Sequence, residues 1–528
     1  MTIGRVPKGN IMQITHGLRR AMQVNADGIA TIFGARRHTY RTFTGRVARL
    51  AGALASLGIS PRDRVAILAL NSDRYLEYFF ACWTLGAVAV PINTRWSPRE
   101  QIDCMQDSDP RVLFVDDAFV TVSEELTAAC AGVRDVIFMG EGATPAKMRG
   151  YEDILDAARP AADANFGGDD LATIYYTGGT TGRSKGVMIS HRNFVYNSVN
   201  YTATVPFDQT LHWLHGAPMF HVADANGILT TTLHGGMHSF LPSFSVEKAL
   251  ELIQNHRINF CIFVPTMINM IVNHPSLGDF DLSHPLRCQF GGSPMPEVVL
   301  RKAMQVLPSW TFINGYGMTE LSPFLTGFTL TADMAGGPRA ALLKSCGHAA
   351  IGSEVRIVDE NDETLPADTV GQLLVRGDNV MQGYWKRPEE TAAALKGGWL
   401  HTGDLATMDE EGRLYIVDRL KDMIITGGEN VYPTEVEQII YLLPDIIECA
   451  VVGIPDEKWG ERVHAVVRCK PGSKLTEQDL VAHCRNFLGG YKCPRGVTFR
   501  DEPMPLTGPG KIRKTEIRAS LKREAGIP

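Results

Sequence analysis

The residues between 175 and 186 are of the types that hold a polyphosphate. The stretch Tyr175-Tyr176-Thr177-Gly178-Gly179-Thr180-Thr181-Gly182-Arg183-Ser184-Lys185-Gly186 combines four glycines, four hydroxyls and two cations. Glycines let a backbone turn with positive φ and point its N–H groups inward. The hydroxyls of Thr177, Thr180, Thr181 and Ser184 add donors, and Arg183 and Lys185 add charge. Such a loop suits phosphate oxygens. It is not a Walker A loop, which needs Gly-Lys-Ser/Thr opening a helix; here Lys185 follows Ser184 and a β-rich run, Val187–Ser190, comes next. On composition alone a Gly/Thr-rich surface hairpin is the alternative.

Other constellations carry chemistry less specifically. Asn314-Gly315-Tyr316-Gly317-Met318-Thr319-Glu320 is a Gly-rich turn ending in a hydroxyl and a carboxylate. A helix start with an acidic first turn would look the same; the functional reading puts Glu320 on a Mg²⁺ that bridges phosphates, because Mg²⁺ takes hard oxygen ligands and few protein carboxylates. His401-Thr402-Gly403-Asp404-Leu405 reads by default as an Asx-turn. Asp418-Arg419-Leu420-Lys421-Asp422 is a charged turn that precedes Gly427-Gly428, and Pro505–Lys511 is a turn-rich segment presenting one lysine. His212, His215, His221, His234 and His238 crowd one segment. They have no His-Glu-x-x-His pattern and no carboxylate at ligand spacing, so zinc is not expected there.

Taken together and in order, these motifs resemble those of the acyl-adenylate-forming superfamily: acyl- and aryl-CoA synthetases, peptide-synthetase adenylation domains and beetle luciferases. Gly178 stands where the family's phosphate loop usually has Ser. The resemblance covers nearly the whole chain and implies an AMP-forming acyl-CoA synthetase using ATP, Mg²⁺ and coenzyme A. It implies that Thr177, Gly178, Gly179, Thr180, Thr181, Gly182 and Lys185 hold the β/γ-phosphates. Gly291-Gly292-Ser293 would cover the adenine, Asn314, Gly315 and Gly317 would belong to the nucleotide site, and Tyr316 would stack on the base. Thr319 would lie near the α-phosphate, Glu320 on the metal, and Asp404 and Arg419 on the ribose. Lys511 would be the adenylating lysine, Lys421 the hinge, Gly427-Gly428 the coenzyme A side, and His221, in Pro218-Met219-Phe220-His221, a border of the acyl site.

These residues need a scaffold, and the hydrophobic pattern supplies one. Helical spacing at Thr44–Leu57, Arg74–Leu85 and Pro98–Gln106 alternates with strand-like Arg64–Leu70, Ala87–Pro91 and Val112–Val115, which argues for parallel sheet covered by helices. The rhythm resumes with a helix near Val246–Asn255, a strand Phe260–Val264, a helix near Met267–Asn273 and a strand Arg287–Phe290. Beyond Gly347, short strands at Val355–Asp359, Gln372–Arg376 and Arg413–Val417 suggest an antiparallel or barrel-like subdomain. After Asp418 a small α+β unit is expected. The reading is an α/β protein with a large multi-subdomain N-terminal body, residues 1–418, and a mobile C-terminal cap, residues 419–528.

Composition narrows the classes. A net charge of −6 argues against a nucleic-acid binder, which would carry a basic surplus. The ten cysteines are scattered with no Cys-x-x-Cys pair, which fits free thiols in a reducing cytoplasm. The most apolar segment, Tyr78–Ile92, is shorter than a spanning helix needs, so no integral membrane segment is expected, and no signal peptide is visible. Segments Phe220–Ala225, Ile262–Thr266 and Tyr316–Met318, expected by resemblance around the acid, are mostly apolar or small and favour a hydrophobic acid, fatty or aryl. Whether Asp224 faces the acid is open at this level. The rival reading is a stand-alone adenylation enzyme loading a separate carrier protein; against it, His221 stands where amino-acid-activating relatives carry Asp just after the Phe. A non-enzymatic binder is opposed by the presence of both Lys511 and Glu320. The segment Pro505–Lys511 also resembles one switched off by lysine acetylation, which would add an acetyltransferase and a deacetylase as partners. Oligomeric state is open, a homodimer included.

Overall fold

The computed structural model describes residues 12–178, 184–508 and 510–524. Two eight-stranded sheets form the large body. In the first, Leu171–Thr177, Val88–Pro91, Arg64–Leu68, Val112–Val115, Asp135–Phe138 and Arg149–Gly150 run parallel, and Lys185–Ser190 and Gly383–Tyr384 extend it antiparallel at one edge. The inner strands are buried on both faces, so they read as unbroken apolar runs; Val65–Leu68 is fully buried. In the second, His212–His215, Phe260–Phe263, Leu286–Gly291 and Trp310–Gly317 are parallel neighbours beside Met237–Phe240 and Ile29–Phe33, with antiparallel strands Phe324–Thr329 and Arg36–Thr39 at the two edges.

Local sequence fixes the junctions. Ser190 ends its strand and caps the following helix, His191–Thr204: its hydroxyl accepts from Asn193 N at 3.2 Å, and Asn193 Oδ1 accepts from Ser190 N at 2.9 Å. Ser72 caps helix Asp73–Leu85, and Gly86, at φ 71°, ends it.

Four antiparallel strands, Glu354–Val358, Gly371–Arg376, Leu400–Met408 and Leu414–Arg419, make the smaller subdomain. The C-terminal unit carries a further sheet, Glu429–Val431, Ile424–Thr426, Gly460–Cys469, Ile446–Asp456 and Val497–Arg500, packed by helices Pro433–Ile440, Glu477–Arg485 and Lys514–Glu524. No helix among the described residues is long and apolar enough to cross a membrane.

One expected element differs. Asn314–Gly317 is extended, because Trp310–Gly317 is flanked by a parallel partner on one side and an antiparallel partner on the other. The turn begins only at Thr319–Leu321. Gly317 has no room for a side chain, since a Cβ would stand 1.9 Å from Pro323 O.

Candidate active site

Four neighbouring parallel strands of the second sheet deliver most of the expected residues at their carboxyl ends, where open α/β sheets place ligands. His212–His215 leads to Pro218–His221, Phe260–Phe263 to Thr266, Leu286–Gly291 to Gly292-Ser293, and Trp310–Gly317 to Thr319-Glu320.

The residues expected at the nucleotide form a chain of contacts. Tyr316 OH donates to Asp404 Oδ2 at 2.7 Å. Asp404 and Arg419 are cross-strand partners, with Arg419 Nε 3.4 Å from Asp404 Oδ1. Asp404 lies in strand Leu400–Met408, so its motif is no Asx-turn; Thr402 Oγ1 accepts from Asp404 N at 3.1 Å and donates to Leu373 O at 2.7 Å. Asn314 is otherwise engaged, its Nδ2 donating to Ser345 O at 2.8 Å.

Glu320 is buried, and burial raises its carboxyl above the usual range. Tyr384 OH donates to Glu320 Oε1 at 2.9 Å, and Lys185 Nζ lies 5.0 Å from the Tyr384 ring centroid. Tyr384 therefore links the phosphate hairpin to the expected metal ligand. Nothing in the local sequence marked it; the signal lies in pairing, since Gly383 and Tyr384 sit opposite Met188 and Val187. Glu320 fits Mg²⁺: its oxygens are hard donors, and Tyr384 holds one of them in place. Thr177 and Lys185 close the hairpin as cross-strand partners, with Gly178 exposed beside them. Gly179, Thr180, Thr181 and Gly182 lie outside the described residues.

Lys511 arrives from the C-terminal unit. A Cβ on Gly292 would stand 3.2 Å from Lys511 Cε, so the lysine stem lies on that glycine. Its loop is docked by Thr266, whose Oγ1 donates to Gly510 O at 3.2 Å. Enclosure, and then the Arg419 charge, lower the ammonium to about 8, against the opposing pull of Asp404 and Glu320. His221 is lowered to about 3 by enclosure and by the Lys511 charge, so its imidazole is neutral at pH 7; its Nδ1 accepts from Ala223 N at 3.2 Å.

The remaining histidines of that segment are engaged in hydrogen bonds. Asp224 is buried, with Oδ2 2.7 Å from His215 Nδ1; His215 Nε2 lies 2.9 Å from His238 Nδ1, and His238 Nε2 lies 3.1 Å from Thr232 Oγ1. His212 Nε2 pairs with Ser239 Oγ at 2.8 Å and His234 Nε2 with Thr202 Oγ1 at 3.2 Å. Asp224 thus points to His215.

At the joint, Leu420 N donates to Gly403 O at 2.9 Å, still bonded to the body, and Lys421 occupies the exposed turn that follows. Gly427 and Gly428, at φ 61° and 87°, form the two-residue tip between Ile424–Thr426 and Glu429–Val431, a turn that requires positive φ at both positions. Gly427 N donates to Trp459 O at 2.8 Å, and a Cβ on Gly427 would meet the Trp459 ring.

The sequence profile described as AMP-binding enzyme matches residues 18–385, and that of the AMP-binding enzyme C-terminal domain matches residues 435–511. A feruloyl-CoA synthase of Amycolatopsis sp is 38% identical over 505 residues, covering 95% of this chain and 97% of the relative. A long-chain-fatty-acid–CoA ligase of Mycobacterium tuberculosis is 34% identical, covering 91% and 93%. ATP-bound MatB from Rhodopseudomonas palustris superposes with a TM-score of 0.85 at 29% identity, covering 97% of this chain and 99% of that one.

Proposed function

The chain belongs to the AMP-binding enzyme family and is an AMP-forming carboxylic acid–CoA ligase, and on that premise we propose how its own residues divide the work. A carboxylate is a poor acyl donor because oxide would have to leave. Attack of a carboxylate oxygen on the α-phosphorus of ATP forms a mixed anhydride with AMP, and the bond to the bridging oxygen breaks to release pyrophosphate. The coenzyme A sulfur then attacks the acyl carbon, loses its proton, and AMP leaves.

Lys511 neutralises charge gathering between the acid and the α-phosphate. Thr177 and Lys185, with the residues between them, hold the β/γ-phosphates. Tyr316 lies along the adenine, Gly291–Ser293 cover it, and Thr319 meets the α-phosphate. Asp404 and Arg419 hold the ribose, and Glu320, steadied by Tyr384, holds Mg²⁺. Bound there, Mg²⁺ neutralises phosphate charge. His221 borders the acyl carboxylate as a neutral imidazole. We set the boundary of the two units just after strand Leu414–Arg419, one residue beyond the 418/419 division expected from the sequence, with Lys421 as the hinge about which the C-terminal unit turns to bring Gly427-Gly428 to the pantetheine. The ten free cysteines, nine of them buried, support a reducing, cytoplasmic setting.

For the acid we propose a rigid aryl acid of phenylpropenoid size. One observation carries this: behind Ile262 and Gln289 the interior is filled by rings. Trp213 stacks on Phe260 at 4.5 Å, Tyr201 meets Phe324 edge-on at 4.7 Å, and Tyr201 OH donates to Gln289 Oε1 at 2.7 Å. We infer that a flat, short acid would stop at that wall, whereas a long alkyl chain would have to pass it. The feruloyl-CoA synthase relative agrees, although the fatty-acid ligase relative shows that the family serves both classes. A thioesterification screen with ferulate, indoleacetate, octanoate and palmitate tests it. The expected result is higher kcat/KM for the aryl acids, and palmitate leading the series would overturn it.

A further inference from the structure

Two helices at the junction of body and C-terminal unit are capped from across that junction. Helix Glu297–Val306 starts after Pro296 and helix Pro433–Ile440 after Tyr432, and neither N-cap residue offers a side-chain hydrogen bond. The first turn of any helix leaves backbone N–H groups without intrahelical partners. Gln438, from the C-terminal unit, serves the first helix: its Oε1 accepts from Glu297 N at 3.0 Å and its Nε2 donates to Met295 O at 3.0 Å. Asp418, from the body, serves the second: its Oδ2 accepts from Thr434 N at 2.8 Å, while Oδ1 accepts from Arg419 N at 2.8 Å. Thr434 and Gln438 share one helix, so that helix is tied at two points, each tie joining a residue after Lys421 to residues before it. The Gln438 contact also lies close in sequence to Gly292, the residue on which the Lys511 stem rests.

We propose that Gln438 and Asp418 form a two-point latch that holds the C-terminal unit where Lys511 reaches the acyl-adenylate site, and whose release is required for the thioester step. The proposal rests on the hinge reading given above. Both are positioning residues that touch no substrate. The latch is sized to open. Deleting a cap costs enough to move an equilibrium by about tenfold, and both ties are single side chains bonded to backbone. Loss of the latch acts oppositely on the two half-reactions, slowing adenylation and sparing or speeding thioesterification. A merely structural role would lower both alike.

The test uses the full chain with Gln438→Ala, Asp418→Ala and the double variant. ATP–pyrophosphate exchange reads adenylation, single-turnover conversion of supplied feruloyl-adenylate reads thioesterification, and trypsin cleavage after Lys421 reads the closed population. The expected result is a rise of about three- to tenfold in the ratio of thioesterification to adenylation for each single variant, with faster cleavage. Gln438→Glu, which keeps the acceptor and loses the donor, should fall between wild type and Gln438→Ala. Equal loss in both half-reactions with unchanged cleavage overturns the latch. Lys511→Ala in parallel separates the failures: if it keeps adenylation, the underlying reading falls, and if it loses adenylation while Gln438→Ala leaves the ratio unchanged, the latch alone falls.

Discussion

The body and the C-terminal unit hold their shares of the site by different physics. In the body, position comes from sheet register. Asp404 faces Arg419, Thr177 faces Lys185, and Gly291 faces Gly315 because continuous ladders put them there. Moving one of these residues means breaking a ladder in a buried sheet. Lys511 is held by far less: a hydroxyl from Thr266, a carboxamide from Gln438, the Asp418 cap and a longer contact from Asn269 Nδ2 to Ile447 O at 3.4 Å. On the proposed mechanism, the groups fixed by ladders would serve both half-reactions, and those fixed by single side chains would serve one and be exchanged.

The largest expected break in that contrast is Lys511→Ala. Adenylation should fall by about 10² or more, the scale of removing one preorganised charge-stabilising donor, while conversion of supplied acyl-adenylate to thioester survives. Rapid-quench measurement of each half-reaction decides it, and matching losses would contradict the division. A pH series sharpens the same point. The Lys511 ammonium, lowered to about 8, is present at pH 7 and lost as pH rises through 8. Adenylation kcat/KM should therefore decline above pH 8, approaching tenfold per unit, and thioesterification should not follow that titration.

Next in size is Lys421→Pro. Proline fixes φ near −65° and restricts Leu420 as well, which would freeze the proposed hinge, a position that would have to absorb a large rotation. Thioester formation should fall well beyond tenfold, while adenylation stays within about tenfold because the closed arrangement needs no rotation. A folded variant with unimpaired thioesterification would remove the rotation.

The smallest effect tests the rigid side. Tyr384→Phe deletes the bond to Glu320 and leaves the ring beneath Lys185. A hydrogen bond to a charged group is worth at the lower end about 1.5 kcal/mol, so ATP-dependent adenylation should drop about tenfold, with the Mg²⁺ concentration for half-maximal rate rising. Use of preformed acyl-adenylate, which lacks the β/γ-phosphates, should be nearly unchanged. An equal drop with both substrates would make Tyr384 a general structural residue.

Much of the fold was legible because the body's strands announce themselves. Val112–Val115 is an unbroken apolar run bounded by polar residues, and it forms as read. The site motifs were legible as spelling and as order along the chain. What could not be read depends on pairing across distance. Tyr384 acquires its place by lying opposite Val187, and Gln438 looks like any polar residue on a helix until Pro296 is seen to leave a cap unfilled. Asn314–Gly317 looked like a turn because three of its four residues are permissive, yet two flanking strands override that preference. The histidine crowd was equally ambiguous, since only the fold shows that Asp224 Oδ2 and two imidazoles are joined in a buried row.

The bond from Leu420 N to Gly403 O has a bearing on leakage. Gly403 adjoins Asp404, and Arg419 precedes Leu420, so the proposed sugar-holding pair lies entirely on the stationary side of the joint. On the proposed hinge, the C-terminal unit would exchange one face for the other while the acyl-AMP kept its grip at the ribose. A reactive anhydride that never has to let go between two chemistries is shielded from wandering into water. Free acyl-adenylate should therefore be scarce in the medium during turnover, and AMP, held by the same pair, should stay bound until the thioester has formed.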